Sequence, residues 1–387
     1  MGFYEKDFID EVRYMNDLVD VMREHGELLI HRSGKNVQWL CKCPGRKERN
    51  KARVNTQVQL YHCYSCGRSG NVINYIRQER NMTFPEAIEF LANRAGIPLP
   101  NDQEAIQAFR ARTQAYGDAM KFYKGFRHPY FEKRGLEEGD IVHFGAGYAP
   151  GGTKLRDHML SLGYTLEFLK DIELVNSKDR DTFFHRIVFP IIKNGKVVSM
   201  YGRRVDDAEN NKHHYINGAK ICFGIDEVAQ GSVVVVVESI LNATALSKQL
   251  RQHQDVVSKY FTRPVSVVAI GGCTKFSHFH VNLLKKKECP LVFVCYDPDS
   301  SGAGPEEALY TGKMLVENEL TTRIMALPED VDVSDFFVKE KRELSDFLDI
   351  MSKAQNVQEY EYVQWLGKIP DEFLKNYIES KFEKGEV

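Results

Sequence analysis

The run Leu291-Val292-Phe293-Val294-Cys295-Tyr296 stops abruptly at Asp297-Pro298-Asp299-Ser300-Ser301-Gly302. An apolar strand that brings two carboxylates to its tip, ahead of a glycine-bearing turn, is suited to holding a divalent cation through oxygen ligands. Asp297 and Asp299, two residues apart, point the same way. A second apolar run, Val233 to Val237, ends in Glu238, and Asp332 and Asp335 follow the run Arg323 to Leu327. A helix N-cap accounts for one such acid, since Asp299 precedes a helical stretch. It does not account for so many at one sheet edge, and strands that each stop at an acid indicate metal-dependent phosphate chemistry.

A second constellation is cationic and sulfur-rich. Cys41 and Cys43 stand about twenty residues before His62-Cys63-Tyr64-Ser65-Cys66-Gly67. The Cys-x-x-Cys-Gly knuckle with an upstream pair has the spacing of a four-thiolate structural zinc site, Cys41, Cys43, Cys63 and Cys66. The Cys-x-Cys half is tighter than usual, so His31 and His62 stand as alternative ligands. A redox Cys-x-x-Cys is the competing reading, but no thioredoxin-like strand and helix surround it. The other four cysteines, Cys222, Cys273, Cys289 and Cys295, lie in or beside apolar stretches and read as buried thiols.

From His31 to Arg80 the chain carries 11 Lys/Arg against 2 Glu, a surplus of +9, whereas the whole chain has a net charge of −2. A basic segment in an otherwise acidic chain fits a nucleic-acid binder that also holds metal. Arg46, Lys47, Arg49, Lys51, Arg53 and Arg68 are interleaved with Trp39, Tyr61 and Tyr64. Cations for phosphates and flat rings for bases would make a single-strand platform, with core packing as the competing reading of each ring taken singly. A second basic set, Arg203, Arg204, Lys212 and Lys220, follows strand-like segments near glycines, a place suited to gripping phosphates, with a solvated hairpin as the competing reading.

The elements that must position these groups follow from periodicity. Residues 7–28 carry apolar side chains at helical spacing and predict a helix or helix pair. Residues 37–40, 52–54 and 57–61 read as strands of a small antiparallel sheet. Helices are predicted over 71–80 and 85–95, with Gly96 and Pro98 as the stop, then over 104–124, 154–162 and 166–174. Residues 185–192 and 196–205 form a hairpin about Asn194-Gly195. From Ser232 onward, Val/Ile/Leu runs alternate with helices, which predicts a parallel sheet covered on both faces, with ligands beyond the carboxyl ends of its strands. Residues 341–387 have apolar positions at helical spacing, read as packing on the acidic domain or as a partner contact.

These motifs together resemble the bacterial-type (DnaG-like) DNA primases, including compact phage forms. The resemblance is carried by Gly34-Lys35-Asn36, by His62 through Val72, and by Arg186-Ile187-Val188-Phe189-Pro190-Ile191 with Gly202-Arg203-Arg204-Val205. It is carried also by Tyr215-Ile216-Asn217 with Phe223-Gly224, by Val237-Glu238, and by Tyr296-Asp297-Pro298-Asp299 with Gly302. Two positions depart from the family pattern. Arg46 stands where the family's Cys-Pro-x-His has histidine, which leaves Cys41 as the replacement ligand. Glu238-Ser239-Ile240-Leu241-Asn242 stands for Glu-Gly-x-x-Asp.

The resemblance implies a multidomain α+β and α/β fold. A zinc-ribbon domain with flanking helices would span 1–100, the N-terminal subdomain of an RNA polymerase core 101–230, and a Toprim catalytic domain 231–340. C-terminal helices would follow over 341–387. It implies RNA primer synthesis on single-stranded DNA from ribonucleoside triphosphates, with structural Zn²⁺ and catalytic Mg²⁺ or Mn²⁺. Glu238, Asp297 and Asp299 would be the magnesium ligands and Asp332 a further catalytic acid. Arg203, Arg204, Lys212, Lys220, Arg53, Trp39 and Tyr61 would bind nucleic acid or nucleotide. The alternatives are a Toprim-type nuclease and a non-catalytic zinc-dependent single-strand-binding factor.

No Gly-x-x-x-x-Gly-Lys-Ser/Thr loop occurs in the chain, so a separate replicative helicase or single-strand-binding protein is the expected partner. The N-terminus reads as no signal peptide and no stretch reaches the ~20 apolar residues of a bilayer span. A cytoplasmic location, in a bacterial cell or phage-infected host, is therefore expected, with no membrane partner.

Overall fold

A computed structural model describes residues 4–26, 29–33, 36–43, 50–56, 58–100, 103–206, 211–216, 222–271, 276–298, 303–367, 376–377 and 380–381. Of the residues singled out above, Gly34, Lys35, Arg46, Lys47, Arg49, Asn217, Lys220, Cys273, Asp299 and Gly302 lie outside the described residues. The chain divides into two compact units. One comprises residues 1–131, 137–221 and 276–283, the other residues 132–136, 222–275 and 284–387.

The first unit begins with two short helices, α1 (Lys6–Met15) and α2 (Leu18–Glu24), the second started by Asp17, whose carboxylate accepts from Val19 N and Asp20 N. A five-stranded antiparallel sheet follows in sequential order: β1 (Leu29–Ser33), β2 (Asn36–Cys41), β3 (Asn50–Asn55), β4 (Leu60–His62) and β5 (Ser69–Gly70). Helices α3 (Val72–Glu79) and α4 (Phe84–Arg94) close this part, each opened by a capping box, from Asn71 and Thr83.

Alternation along the strands sends Val37, Trp39, Cys41, Ala52, Val54, Tyr61 and Cys63 inward onto Val72, Ile73, Tyr75 and Ile76. Trp39, Tyr61 and Tyr75 meet edge to face, with centroids 5.7, 6.4 and 5.9 Å apart. This corrects the expected base-stacking role of Trp39 and Tyr61. They are 1% and 2% exposed, and their rings fill a core that so small a sheet builds from aromatics.

At the edge of that core the Cys41, Cys43, Cys63 and Cys66 sulfurs all lie within 4.8 Å of one another. The Cys41–Cys66 and Cys43–Cys63 sulfurs are 3.7 and 3.6 Å apart. A tetrahedron of ~2.3 Å metal–sulfur bonds has edges of about 3.8 Å, so the four thiols match a zinc ion. The tight Cys-x-Cys half works because Cys43 N donates back to Cys41 O at 3.0 Å. On the knuckle side Gly67 N donates to Cys63 O at 2.9 Å, in a left-handed turn (φ 73°) that favours glycine. Burial opposes ionisation of Cys63, but backbone N–H groups of Cys66 and Ser65 outweigh it and lower the thiol to about 7. His62 points to the outer face, its ring 4.5 Å from that of Tyr64.

The rest of this unit is built on α5 (Gln103–Lys124). After α6 (Tyr130–Lys133) and α7 (Glu138–His143) comes a four-stranded antiparallel sheet. Its strands are β6 (Gly147–Ala149), β7 (Arg186–Lys193), β8 (Lys196–Arg204) and β9 (His213–Tyr215), in that order, with α8 (Lys154–Ser161) and α9 (Leu166–Asp171) between β6 and β7. The β7–β8 hairpin turns at Asn194 and Gly195, both with positive φ, as a two-residue turn of the primed type requires.

In the second unit, β10 (Val233–Val237), β11 (Val265–Ala269), β12 (Val292–Val294) and β13 (Thr322–Ile324) form a parallel sheet in the order β11-β10-β12-β13. Its helices are α10 (Ile240–Gln252), α11 (Gln254–Tyr260), α13 (Ala303–Glu317) and α14 (Val333–Val338), while α12 (His278–Lys286) is divided between the two units at Leu283. Every residue of β10 is buried, and so is every residue of β12, as expected of strands covered on both faces. The later helices α15 (Leu344–Ser352) and α16 (Val357–Gly367) pack on this domain. Phe347 meets Phe336 at 5.7 Å, and Gln355 bridges to Ile324 at the β13 edge.

Two measurements test this account. Cys41→Ser is expected to reduce bound zinc from one equivalent to a small fraction, measured by metal analysis. Unchanged content would assign the fourth ligand elsewhere. Gly147→Ala would place a Cβ 2.3 Å from the Tyr123 carbonyl carbon, a clash with backbone. A loss of about 1–3 kcal/mol is expected, read as a lower midpoint in thermal unfolding.

Candidate functional site: an acidic sheet rim and a basic hairpin

The chain leaves β10 for β11 on one side and reaches β12 on the other, so the carboxyl ends of β10 and β12 flank the point where the strand order reverses. In such sheets ligands sit at this point, beyond the carboxyl ends of the strands. Glu238 follows β10 directly and Asp297 lies three residues beyond β12, so both carboxylates stand at this switch point. Both are partly buried. The thiol of buried Cys295 reports their nearness. Burial first, then the charges of Asp297, Asp332 and Glu238, push it well above its ordinary value. Three acids thus lie within electrostatic reach of one sulfur.

Asp332 has a structural duty as well. It N-caps α14, its Oδ1 accepting from Asp335 N at 2.7 Å. Burial raises its pKa above the ordinary carboxylate value, the cap hydrogen bond opposes this, and Asp335 adds to it. Asp335 itself pairs with Lys339 at 2.5 Å and stands 3.9 Å from Arg134. The helix start of α13 crosses close to the rim. A Cβ on Gly304 would lie 1.8 Å from the Asp297 carbonyl oxygen, so only glycine fits there.

Hard carboxylate oxygens in a part-buried crevice suit Mg²⁺ or Mn²⁺ rather than a soft metal. Among the described residues, only the four cysteines come together as a complete cluster of ligands. At the rim the described donors are Glu238 and Asp297, with Asp299 outside the described residues.

Asn242 escaped the sequence reading. Fully buried in the first turn of α10, it donates from Nδ2 to Asp297 Oδ1 at 2.7 Å and accepts Ser334 N at 3.1 Å. Its departure from a family acid was visible in the sequence, but its partners were not.

In the antiparallel sheet, neighbouring residues point to opposite faces, so Arg203 and Arg204 cannot share one patch. Arg203 donates to Tyr130 Oη at 3.4 Å and lies 2.6 Å from His213 Nε2, whose Nδ1 is 2.8 Å from Tyr201 Oη. Arg204 makes two 2.6 Å hydrogen bonds to Asp206, so part of its charge is spent locally. Lys212 is exposed beside β9.

Arg186, part of a sequence motif, is buried. It donates to Gly202 O, Lys212 O and Asn211 O at 3.0, 3.0 and 2.6 Å, tying down the backbone that carries Lys212. Burial, then the charge of Arg204, lowers its pKa. On the zinc module, Arg53 is exposed and pairs across the sheet with His62. Tyr64 is 71% exposed, so His62 and Tyr64 present the rings that Trp39 and Tyr61 do not.

Comparison with known proteins gives three successive family matches. A family model described as CHC2 zinc finger matches residues 4–107, one described as DNA primase catalytic core, N-terminal domain, matches 124–223, and one described as Toprim-like matches 235–337. The DNA primase of Neisseria meningitidis serogroup A is 28% identical over 365 residues, which cover 85% of this chain and 58% of that protein. The DNA primase of Clostridium acetobutylicum is 27% identical over 385 residues, 92% of this chain and 60% of that one. The chain thus spans less than two thirds of the length of these relatives. The crystal structure of the Aquifex aeolicus primase, comprising zinc-binding and RNA polymerase domains, matches in fold with a TM-score of 0.55 at 22% identity. That match covers 98% of this chain and 96% of the other. The chain is therefore a CHC2 zinc finger, a DNA primase catalytic-core N-terminal domain and a Toprim-like domain in series, the domain set of the bacterial-type (DnaG-like) DNA primases.

Proposed function

We propose that this chain synthesises short RNA primers on single-stranded DNA for replication, as a DNA-directed RNA polymerase. The 3′-hydroxyl of one ribonucleotide attacks the α-phosphate of the next, and pyrophosphate leaves. The observation that carries this reading is the pair Glu238 and Asp297 at the ends of adjacent strands flanking the reversal of strand order. Glu238, Asp297 and Asp299 would hold Mg²⁺ or Mn²⁺. Such ions, when bound, neutralise charge on the reacting phosphates and on the attacking and leaving oxygens.

The remaining work is positioning, the greater part of phosphoryl-transfer catalysis. Asp332, committed to its helix cap, contributes field rather than a primary ligand. Arg203 and Lys212 would take phosphates of template or nucleotide. Arg204, paired with Asp206, would have to exchange that partner first, and Lys220 completes the set. Arg186 holds the backbone that presents Lys212. On the zinc module, the outer face with Arg53, His62 and Tyr64 would grip the single-stranded initiation site by charge and stacking. A separate replicative helicase or single-strand-binding protein would deliver the template. Among the described residues no helix is long and apolar enough to cross a membrane, which fits a cytoplasmic place of work.

The basic hairpin beside a zinc module favours synthesis over cleavage by a Toprim nuclease, and acids at the strand-order reversal argue against a purely binding role. One assay separates the three: full-length chain, single-stranded DNA, labelled ribonucleotides and Mg²⁺ or Mn²⁺. Short RNA is expected, template scission would point to a nuclease, and a mobility shift without chemistry to a binding factor. Asp297→Ala is expected to lower primer yield by about 10² or more, the scale of a lost charge-stabilising group. An undiminished yield would remove Asp297 from the site. Tyr64→Ala is expected to raise the template concentration needed for half-maximal initiation by about tenfold, since one base–aromatic stack is worth ~1–3 kcal/mol. Extension of a preformed primer should change little, and equal losses in both would assign Tyr64 elsewhere.

A further inference from the structure

The Asp297 carboxylate sits on a short connection just past β12, and a carboxylate there turns freely about its Cβ–Cγ bond unless something holds it. Asn242 is placed to hold it. Its amide is fixed from the other side by the fold. The Ser334 backbone N–H can only donate, so the atom it meets at 3.1 Å is the Asn242 oxygen. That leaves the Asn242 NH₂ to face Asp297, which it does at 2.7 Å. The assignment of oxygen and nitrogen is thus set by the hydrogen bonds themselves. Asn242 is 1% exposed, and its own backbone N–H is anchored by the Ser239 hydroxyl at 3.1 Å. The chain therefore runs a rigid strap from the first turn of α10, through one amide, to both the tip of β12 and the start of α14.

We infer that Asn242 is the positioning residue of the acidic rim: by fixing Asp297 Oδ1 through a neutral donor, it sets the aim of the Asp297 carboxylate toward the cation. This rests on the reading of the rim as a divalent-cation site. An amide does here what no other side chain of the same size does. Leucine would leave both the Ser334 N–H and Asp297 Oδ1 without this partner. Aspartate would still accept from Ser334 but would turn a carboxylate oxygen onto Asp297 Oδ1 at hydrogen-bonding distance, with like charges opposed. The neutral donor holds the acid without competing with it for charge.

The test is direct Mn²⁺ binding to the full chain with its zinc retained, followed by electron paramagnetic resonance of the free ion and by calorimetry, without nucleotide. Asn242→Ala is expected to weaken Mn²⁺ binding about tenfold, the scale of one hydrogen bond to a charged group. Asn242→Asp, which keeps the Ser334 contact and so protects the fold, is expected to shift affinity the other way, because a cation relieves the opposed charges. Ser239→Ala, which removes the anchor of the Asn242 backbone but keeps the amide contact to Asp297, should weaken Mn²⁺ binding less than Asn242→Ala does. If Asn242→Ala and Asn242→Asp both match wild type while Asp297→Asn loses binding, the positioning role is overturned and the cation site stands. If Asp297→Asn also binds normally, the cation site itself fails. Should Asn242→Ala not fold, Asn242→Asp decides alone, with unchanged affinity as the overturning result.

Discussion

Negative charges brought close together repel, and the Toprim-like domain is organised around keeping a few of them together in a low-dielectric crevice. The sheet beneath supplies the rigidity. Five consecutive valines in β10 and the run through β12 are buried on both faces, so the strands cannot slide or tilt to let their terminal acids separate. Each edge of the sheet also carries a bridge. Phe223 bridges to Ala269 at the end of β11, and Gln355 bridges to Ile324 at the end of β13, so each edge strand is pinned at its carboxyl end. Given a frame this stiff, only side-chain rotation remains to be controlled at the rim, and that falls to hydrogen bonds. The cap by Asp332 and the strap by Asn242 draw on the same short stretch, the start of α14, so the geometry of the rim depends on where that one helix begins.

The zinc module solves a different problem by a different route. A five-stranded sheet with strands as short as two residues buries too little surface to hold itself together. Three interlocked aromatic rings and four converging sulfurs supply what the sheet lacks. The consequence reaches function. Trp39 and Tyr61 are spent on the core, so chemistry at the surface is left to the residues that alternate with them. His62 is the outward neighbour of Tyr61 on β4, and Arg53 is its cross-strand partner. A module this small cannot give one ring both duties.

That division was partly legible in the sequence. If Cys41 and Cys63 face a shared metal inside the fold, then Trp39 and Tyr61, each two residues earlier in extended chain, face inward too. Composition alone suggests a stacking platform for these rings, whereas the period-two rule turns them inward. The same rule separates Arg203 from Arg204. Where apolar runs were long and bounded, as at Val233–Val237 and Leu291–Tyr296, both the strands and the acids at their ends could be read directly. So could the hairpin, because Asn194-Gly195 accepts the positive φ that its turn demands. Helix α11 was missed: Gln254–Tyr260 follows α10 almost without a break and has few apolar positions of its own.

Asn242 marks the point where linear reading stops. Its partners lie 55 and 92 residues away along the chain, and nothing in its neighbourhood announces them. From sequence it appears only as an acid exchanged for its amide, which reads as a lost ligand. The fold shows the exchange differently. A fourth carboxylate at that position would add repulsion to a rim already carrying Glu238, Asp297 and Asp332, whereas the amide contributes a donor to one of them and an acceptor to the backbone. If the rim holds a cation as proposed, what looks in one dimension like a weakened site is in three dimensions a change in how the acid is held, from charge shared with the metal to charge aimed at it.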